Sequence, residues 1–118
     1  MKRVLSPHVK IYKFPPTAIT SILTRITGIG LSGAYVAFGY CNLLNINLYK
    51  QYVSLDNNSK QLIKYVGIYT PLYHTLGGIR HFIWDINPSL LTKPKVNATS
   101  YILLGSSFIG TIILDKLI

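Results

Sequence analysis

The stretch His74-Thr-Leu-Gly-Gly-Ile-Arg-His81 lies within a mostly apolar segment that runs from about Leu62 to Ile86 and is bounded by polar residues. A histidine near the middle of a bilayer-length helix is costly unless it faces protein, water or a ligand. Gly77 and Gly78 follow His74 at i+3 and i+4, so they share its face of a helix. The stretch therefore predicts a helix with a histidine beside a glycine notch, an arrangement that suits a flat ligand such as haem.

The composition predicts an integral membrane protein. Of the 118 residues, 49% are hydrophobic and 13% are charged, which is too few charges for the surface of a soluble domain of this size. The net charge is +9, but Lys and Arg flank apolar stretches instead of clustering on one face, so we expect no binding of nucleic acid. The single Cys41 excludes an intrachain disulfide and a cysteine metal cluster.

The chain is predicted to be all-α, with three transmembrane helices in a single membrane-anchor domain over residues 1–118. The helices are expected at about residues 19–44, 62–86 and 96–114, after an N-terminal segment, residues 1–18. Each would be roughly 28 Å or longer, enough to cross the hydrocarbon core. Helices are expected because only helices and closed barrels satisfy their backbone groups in lipid. The middle helix is the least hydrophobic, since only residues 65–79 form a stretch without charge.

The distribution of basic residues predicts that the N-terminus faces the inner side of the membrane. Six basic residues would lie on the inner side (Lys2, Arg3, Lys10, Lys13, Lys93 and Lys95), and three would lie on the outer side (Lys50, Lys60 and Lys116). The many Asn, Lys, Ile and Tyr residues are typical of an AT-rich genome. We therefore favour the mitochondrial inner membrane, with a bacterial plasma membrane as the alternative.

His74 and His81 are candidates for haem chemistry. They are seven residues apart, so they lie on one face of a helix, about 10 Å apart along its axis. They cannot both ligate one iron, so a six-coordinate haem would take its second ligand from another polypeptide. The alternative for His74 is a structural histidine that hydrogen-bonds between helices. Arg80 and His81 lie nearer the inner interface, where they could meet haem propionates or lipid headgroups.

Ser21 and Arg25 form a second candidate site at the inner end of the first helix. They are four residues apart and share a helical face. A hydroxyl and a guanidinium can hold a carbonyl oxygen and stabilise negative charge on it, which ubiquinone reduction requires. The alternative is a helix-end serine beside an arginine that reaches the headgroups. Asp85 could supply protons, or it could pair with Arg25 or Arg80 at the helix end.

Three sequence blocks together resemble one family, the cytochrome b large membrane-anchor subunit of succinate dehydrogenase. Ser6-Pro-His-Val-Lys-Ile-Tyr-Lys13 resembles its S-P-H-x-x-I-Y opening. The segment Thr17-Ala-Ile-Thr-Ser-Ile-Leu-Thr-Arg-Ile-Thr-Gly28 resembles its S-I-x-H-R-I-T-G signature. His74-Thr-Leu-Gly-Gly-Ile-Arg-His-Phe-Ile-Trp-Asp85 resembles its H-x-x-x-G-I-R-H-x-x-W-D signature. The blocks occur in the family's order, and the likeness covers essentially the whole chain.

The resemblance implies that the chain is half of a heterodimeric helix bundle in succinate:ubiquinone oxidoreductase. It implies that His74 is an axial ligand of the iron of haem b, and that Ser21 and Arg25 line the ubiquinone site. The other axial ligand would come from a small membrane-anchor subunit, and the iron–sulfur and flavoprotein subunits would sit on the inner face. The chain departs from the family at Thr24, where a histidine close to the haem propionates is usual.

The residues alone also leave two other kinds of function open. The chain has no catalytic nucleophile, nucleotide loop or iron–sulfur ligands, so it is not expected to be an enzyme by itself. One alternative is a component of a small transporter or channel, in which the arginines, Asp85 and the histidines would line a polar path. The other is a purely structural membrane subunit without haem.

Overall fold

Residues 11–118 fold into three long helices and two short ones. The computed structural model describes residues 11–118, so most of the N-terminal block at residues 6–13 and the basic residues before Ile11 lie outside the described part. The elements are α1 (Pro16–Leu43), the short α2 (Leu48–Val53), α3 (Asn57–Ile86), a 3₁₀ turn (Pro88–Leu90) and α4 (Lys93–Leu117). The predicted all-α class is confirmed. The short helix α2 was not predicted, and α3 begins five residues before the expected position.

The ends of the helices follow from local chemistry. Pro16 opens α1, where a missing N–H costs nothing. The carboxylate of Asp56 caps α3 by accepting hydrogen bonds from the backbone N–H groups of Asn58 and Ser59 at 3.1 and 3.2 Å, and hydrogen bonding at Ser59 lowers the pKa of Asp56. Helix α3 continues through Pro71, and the hydroxyl of Thr75 donates to the Pro71 carbonyl at 2.7 Å.

Helix α3 runs antiparallel to α1 and α4, and each of the three helices contacts the other two. At one end, Thr20 of α1, Arg80 of α3 and Ser100 of α4 share hydrogen bonds. At the other end, the ammonium of Lys64 in α3 lies 2.9 Å from a carboxylate oxygen of Asp115 in α4. Because successive long helices alternate in direction, the start of α1, the end of α3 and the start of α4 lie at the same end of the bundle.

The interior of the bundle is small and polar, whereas its surface is apolar. The buried positions recur every three or four residues along each helix, as expected for inward-facing stripes. Most of them are threonine, serine, glycine or arginine, and the larger apolar ones are few (Thr20, Thr24, Tyr73, Gly77, Arg80, Trp84, Ser100, Leu103, Ser107 and Thr111). Most of the large aliphatic and aromatic side chains point outward. This inverted distribution is typical of helices that pack against each other in lipid.

By length and composition, two of the described helices are apolar enough to cross a membrane, namely Pro16–Leu43 and Lys93–Leu117. Helix α3 is long enough, but it carries more polar and charged residues than a free-standing span. Its charged residues within the bundle have partners on other helices, as the pairs of Lys64 and Arg80 show. The third crossing remains a prediction.

Candidate functional site

His74 lies at the interface between α3 and α1, with its ring held by the backbone of α1. Its Nδ1 atom is 3.0 Å from the carbonyl oxygen of Thr24 and 3.4 Å from the hydroxyl of Thr27. A backbone carbonyl can only accept a hydrogen bond, so Nδ1 must be the donor in this contact. In a neutral imidazole the lone pair then resides on Nε2, which is the tautomer that a metal ligand requires.

Two glycines allow α1 and α3 to approach closely around His74. A Cβ atom placed on Gly28 would lie only 2.7 Å from Cε1 of His74, so the absence of a side chain there makes room for the imidazole. A Cβ atom on Gly77 would lie 2.8 Å from the hydroxyl oxygen of Thr24. Gly78 has nothing within 4 Å of its Cβ position. The notch that receives the ring is thus on α1, and the Gly77 side of the predicted notch is filled by Thr24.

A long cleft runs along α1 and carries most of the predicted site residues. Its volume is about 1150 Å³. Ten residues of α1 and two histidines of α3 line it (Ser21, Thr24, Arg25, Gly28, Ile29, Ser32, Gly33, Val36, Ala37, Tyr40, His74 and His81). From Ser21 to Tyr40 the lining spans about 28 Å of helix, which is close to the thickness of a hydrocarbon core. The cleft is open along its length, so another helix or a large ligand has access to it.

Ser21 and Arg25 occupy the end of the cleft near the start of α1. Ser21 is half-buried and Arg25 is exposed. Neither side chain has a hydrogen-bond partner among residues 11–118. Their donors therefore remain available to a group that enters the cleft. The structure brings both residues to the same cavity as His74.

His81 lines the same end of the cleft, one heptad after His74. Its ring packs edge-to-face on Trp84, with 5.1 Å between the ring centroids. Its surroundings include the charges of Arg25 and Asp85. Asp85 is exposed, does not line the cleft, and forms no ion pair with a described residue. The expected pairing of Asp85 with Arg25 or Arg80 is thus not seen in this structure.

Arg80 points away from the cleft, into the interface of the three helices. Only 7% of its surface is exposed. Its Nη1 atom donates to the hydroxyls of Thr20 at 3.2 Å and Ser100 at 3.1 Å. Its guanidinium carbon lies 4.6 Å from the centroid of the Trp84 ring. Of the three residues expected near haem propionates, Arg25 and His81 line the cleft and Arg80 does not.

Two features of the site were not predicted from the sequence, namely the contact of His74 with Gly28 and the hydrogen bond from His74 to the Thr24 carbonyl. Gly28 closes the Thr17–Gly28 block, but nothing in the sequence shows which helix faces a given glycine. The carbonyl of Thr24 has no sequence signal at all, because every residue has one. The hydroxyl of Thr24 donates instead to the carbonyl of Thr20 at 2.9 Å, which orients its side chain toward Gly77.

The fold and the cleft together define a class of protein, a small membrane-type helix bundle with a histidine, an arginine and a serine in an open interhelical cleft. The sequence matches a family model described as the succinate dehydrogenase/fumarate reductase transmembrane subunit over residues 1–114. The chain therefore belongs to this family of transmembrane subunits.

Individual relatives come from mitochondria and bacteria. The chain is 38% identical to the mitochondrial succinate dehydrogenase cytochrome b560 subunit of Mus musculus, in a match covering 75% of this chain and 56% of the relative. It is 31% identical to the succinate dehydrogenase cytochrome b560 subunit of Reclinomonas americana, over 96% of this chain and 84% of the relative. It is 33% identical to the succinate dehydrogenase cytochrome b556 subunit of Rickettsia felis, over 96% of this chain and 90% of the relative.

The extent of these matches differs between the two groups of relatives. The chain spans 56% to 63% of the length of the mammalian relatives from Mus musculus, Sus scrofa and Homo sapiens. It spans most of the length of the relatives from Reclinomonas americana, Rickettsia felis and Paracoccus denitrificans.

Proposed function

We propose that this chain is the membrane-anchor subunit of a succinate:ubiquinone oxidoreductase, that it binds haem b through His74, and that it forms part of the ubiquinone-reduction site. The observation that carries the proposal is the geometry of His74. Its Nδ1 atom is 3.0 Å from a backbone carbonyl, and the ring lines the same cleft as Arg25 and Ser21. Membership in the succinate dehydrogenase/fumarate reductase transmembrane family supports it.

The chain acts as a single membrane-anchor domain with three crossings. Helix α3 packs antiparallel against both α1 and α4, so it lies at the same depth as the two helices that are apolar enough to span. The pairing of Lys64 with Asp115 and of Arg80 with two hydroxyls removes much of the cost of placing these charges in the bundle. The N-terminal segment, residues 1–18, faces the matrix or the cytoplasm, and the membrane is the mitochondrial inner membrane or a bacterial plasma membrane.

His74 fits the role of an axial haem ligand by its chemistry. Donation from Nδ1 to the Thr24 carbonyl fixes the ring and raises the basicity of Nε2. Gly28 gives the ring its place against α1. Arg25 and His81 line the cleft on the side toward the bundle end and supply donors for the propionates. The bound haem would supply one-electron redox chemistry within the membrane.

A second ligand for the haem would come from another polypeptide. His74 and His81 lie on one face of α3, so they cannot bind opposite sides of one iron. The open cleft along α1 leaves room for a helix of a small membrane-anchor subunit, which would complete a heterodimeric bundle. The iron–sulfur and flavoprotein subunits are the other partners, and they dock on the inner face and deliver electrons. Membrane lipids surround the apolar exterior.

Ser21 and Arg25 bind the ubiquinone headgroup. A guanidinium donates charge-assisted hydrogen bonds to a carbonyl oxygen, and these strengthen as negative charge develops on that oxygen during reduction. Ser21 adds a neutral donor one helical turn away. Asp85 is exposed beyond the same end of the cleft and near His81, where it can pass protons inward from the aqueous phase. The chain itself holds no catalytic residue for succinate oxidation.

A reduced-minus-oxidised optical spectrum of the purified complex tests the haem assignment. Wild type should give a b-type signal, His74→Ala should lose or alter it, and His81→Ala should shift it without abolishing it. Succinate oxidation by a soluble artificial acceptor should persist in both variants and should co-purify with this chain, which serves as the control for assembly. A complex that assembles without a b-type signal would make the chain a structural subunit instead. An intact spectrum in His74→Ala would refute the ligand assignment.

A further inference from the structure

Arg80 is a buried cation for which the chain provides no counter-charge. The sequence contains only three acidic residues, and all of them lie in the described range. Asp115 pairs with Lys64, Asp56 caps α3 and Asp85 is exposed without an ion pair. A cation that is 93% removed from solvent and lacks an anion is costly in a helix bundle. Two hydroxyls and the Trp84 ring compensate this charge only in part, so the arrangement favours a negative group from outside the chain.

The unpartnered atoms of Arg80 define the shape of that group. Nη1 is satisfied by Thr20 and Ser100, but Nε and Nη2 are buried and have no hydrogen-bond partner in the described chain. The N–H groups of Nε and Nη2 lie parallel on one edge of the guanidinium. That edge matches two oxygens of a phosphate or carboxylate in a bidentate contact.

Arg80 lines a groove between α3 and α4 that shares no residue with the histidine cleft. The groove has a volume of about 390 Å³. Lys95 contributes a second cation, and Thr99 and Ser106 contribute hydroxyls. The remaining lining is mostly apolar and includes Leu76 and Ile102. No acidic residue lines the groove.

We propose that this groove binds an anionic phospholipid. The covered Nε and Nη2 edge of Arg80 would turn toward the groove to contact one pair of phosphate oxygens. Lys95 balances the headgroup charge, and an acyl chain follows the apolar walls of α3 and α4. Free phosphate would leave those walls bare, and the cationic headgroup of a zwitterionic choline lipid would be repelled by Lys95. The lipid would belong to the leaflet at the Arg80 end of the bundle, which is the inner leaflet in the proposed topology.

Native mass spectrometry of the assembled, delipidated complex tests this proposal, and its readout needs neither haem nor quinone. The complex is equilibrated in detergent micelles that contain equal fractions of dioleoyl phosphatidylglycerol or dioleoyl phosphatidylcholine, or in micelles with inorganic phosphate alone. We expect one phosphatidylglycerol to be retained selectively. Lys95→Gln should weaken its retention about fivefold, the effect of one basic residue near a membrane surface. Lys116→Gln removes the same charge outside the groove and should leave retention unchanged.

Arg80→Gln should lose the selective retention of phosphatidylglycerol, and two further variants keep the test decisive if Arg80→Gln fails to assemble. Ser106→Leu fills an exposed part of the groove and should reduce phosphatidylglycerol retention while Arg80 and Lys95 remain in place. Ser106→Ala should retain the lipid as wild type does. Equal retention of phosphatidylcholine, indifference to both Lys95→Gln and Ser106→Leu, or a carboxylate of another polypeptide on Arg80 in a map of the complex would each overturn the proposal.

Discussion

The ring of His74 is anchored to the backbone of Thr24, with 3.0 Å between Nδ1 and the carbonyl oxygen. The contact does not depend on the identity of residue 24, because the acceptor belongs to the main chain. Threonine at this position, where the resemblance leads one to expect histidine, is therefore compatible with an oriented His74. The threonine side chain has a separate task, which is to fill the space above Gly77.

The first prediction concerns Gly28. In Gly28→Ala the new methyl group would lie 2.7 Å from Cε1 of His74, so the ring must move and its hydrogen bond to Thr24 must lengthen. Loss of such a supporting contact commonly weakens metal binding by about 10- to 100-fold. We expect haem content per complex, measured by the pyridine haemochrome assay, to fall on dilution in detergent.

Gly30→Ala is the matched control, since nothing lies within 4 Å of its Cβ position. It adds the same methyl group to the same helix and should leave haem content unchanged. Equal losses in the two variants would mean that the effect comes from α1 in general and not from the seat of His74.

The second prediction concerns the contact between Gly77 and Thr24. In Gly77→Ala the methyl group would lie 2.8 Å from the hydroxyl oxygen of Thr24, which is buried and held by the Thr20 carbonyl. Overpacking of this kind costs about 1–3 kcal/mol. The thermal midpoint of the purified complex should fall, whereas Gly78→Ala should leave it near wild type because that site is open.

A double variant gives this prediction its sharpest test. Thr24→Ala removes both atoms within about 3 Å of the new methyl group, so Gly77→Ala in that background should cost much less. In this double-mutant cycle, the stability lost by the double variant should be clearly smaller than the sum of the losses of the two single variants. A purely additive cycle would show that Gly77 acts through something other than Thr24.

The sequence predicts which residues share a face of α3, but it does not predict which residues of other helices each face contacts. Position 81 returns to the face of His74 after two turns, whereas position 80 lies about 120° away around the helix. The helical period thus separates Arg80 from His81, and the structure places them on different sides. The helical period does not identify the residue that each face contacts. Arg80 and Ser100 are twenty residues apart in the chain, and their contact depends on the antiparallel packing of α3 and α4.

Trp84 illustrates the same limit. A tryptophan near the end of a predicted span suggests an anchor in the headgroup region. In the structure only 9% of its surface is exposed, because it stacks beneath the guanidinium of Arg80. The attraction between a cation and an aromatic ring explains its inward position.

The third prediction concerns the link between Lys64 and Asp115. The ammonium of Lys64 contacts the carboxylate of Asp115 at 2.9 Å and its backbone carbonyl at 3.0 Å, close to the end of α4. Asp115→Asn removes the charge but leaves the carbonyl contact, whereas Lys64→Met removes both. The thermal midpoint should therefore fall more in Lys64→Met than in Asp115→Asn. The reverse order would imply that an unpaired Lys64 costs more stability than the carbonyl contact contributes.

The last prediction separates quinone binding from assembly. Arg25 and Ser21 have no hydrogen-bond partners in the described chain, so their replacement should leave the bundle intact. Arg25→Ala removes a charge-assisted contact worth about 1.5–3 kcal/mol, and Ser21→Ala removes a neutral one worth about 0.5–1.5 kcal/mol. Expressed as kcat/KM for ubiquinone, the losses should be roughly 10- to 150-fold and 2- to 13-fold. Succinate oxidation with a soluble acceptor, measured on the same preparation, should stay near the wild-type rate.

Ser32→Ala, which lies farther along the same cleft, provides a matched comparison for Ser21→Ala and should leave quinone kinetics unchanged. If both activities declined together in Arg25→Ala, the arginine would serve assembly, and the headgroup site would have to lie elsewhere.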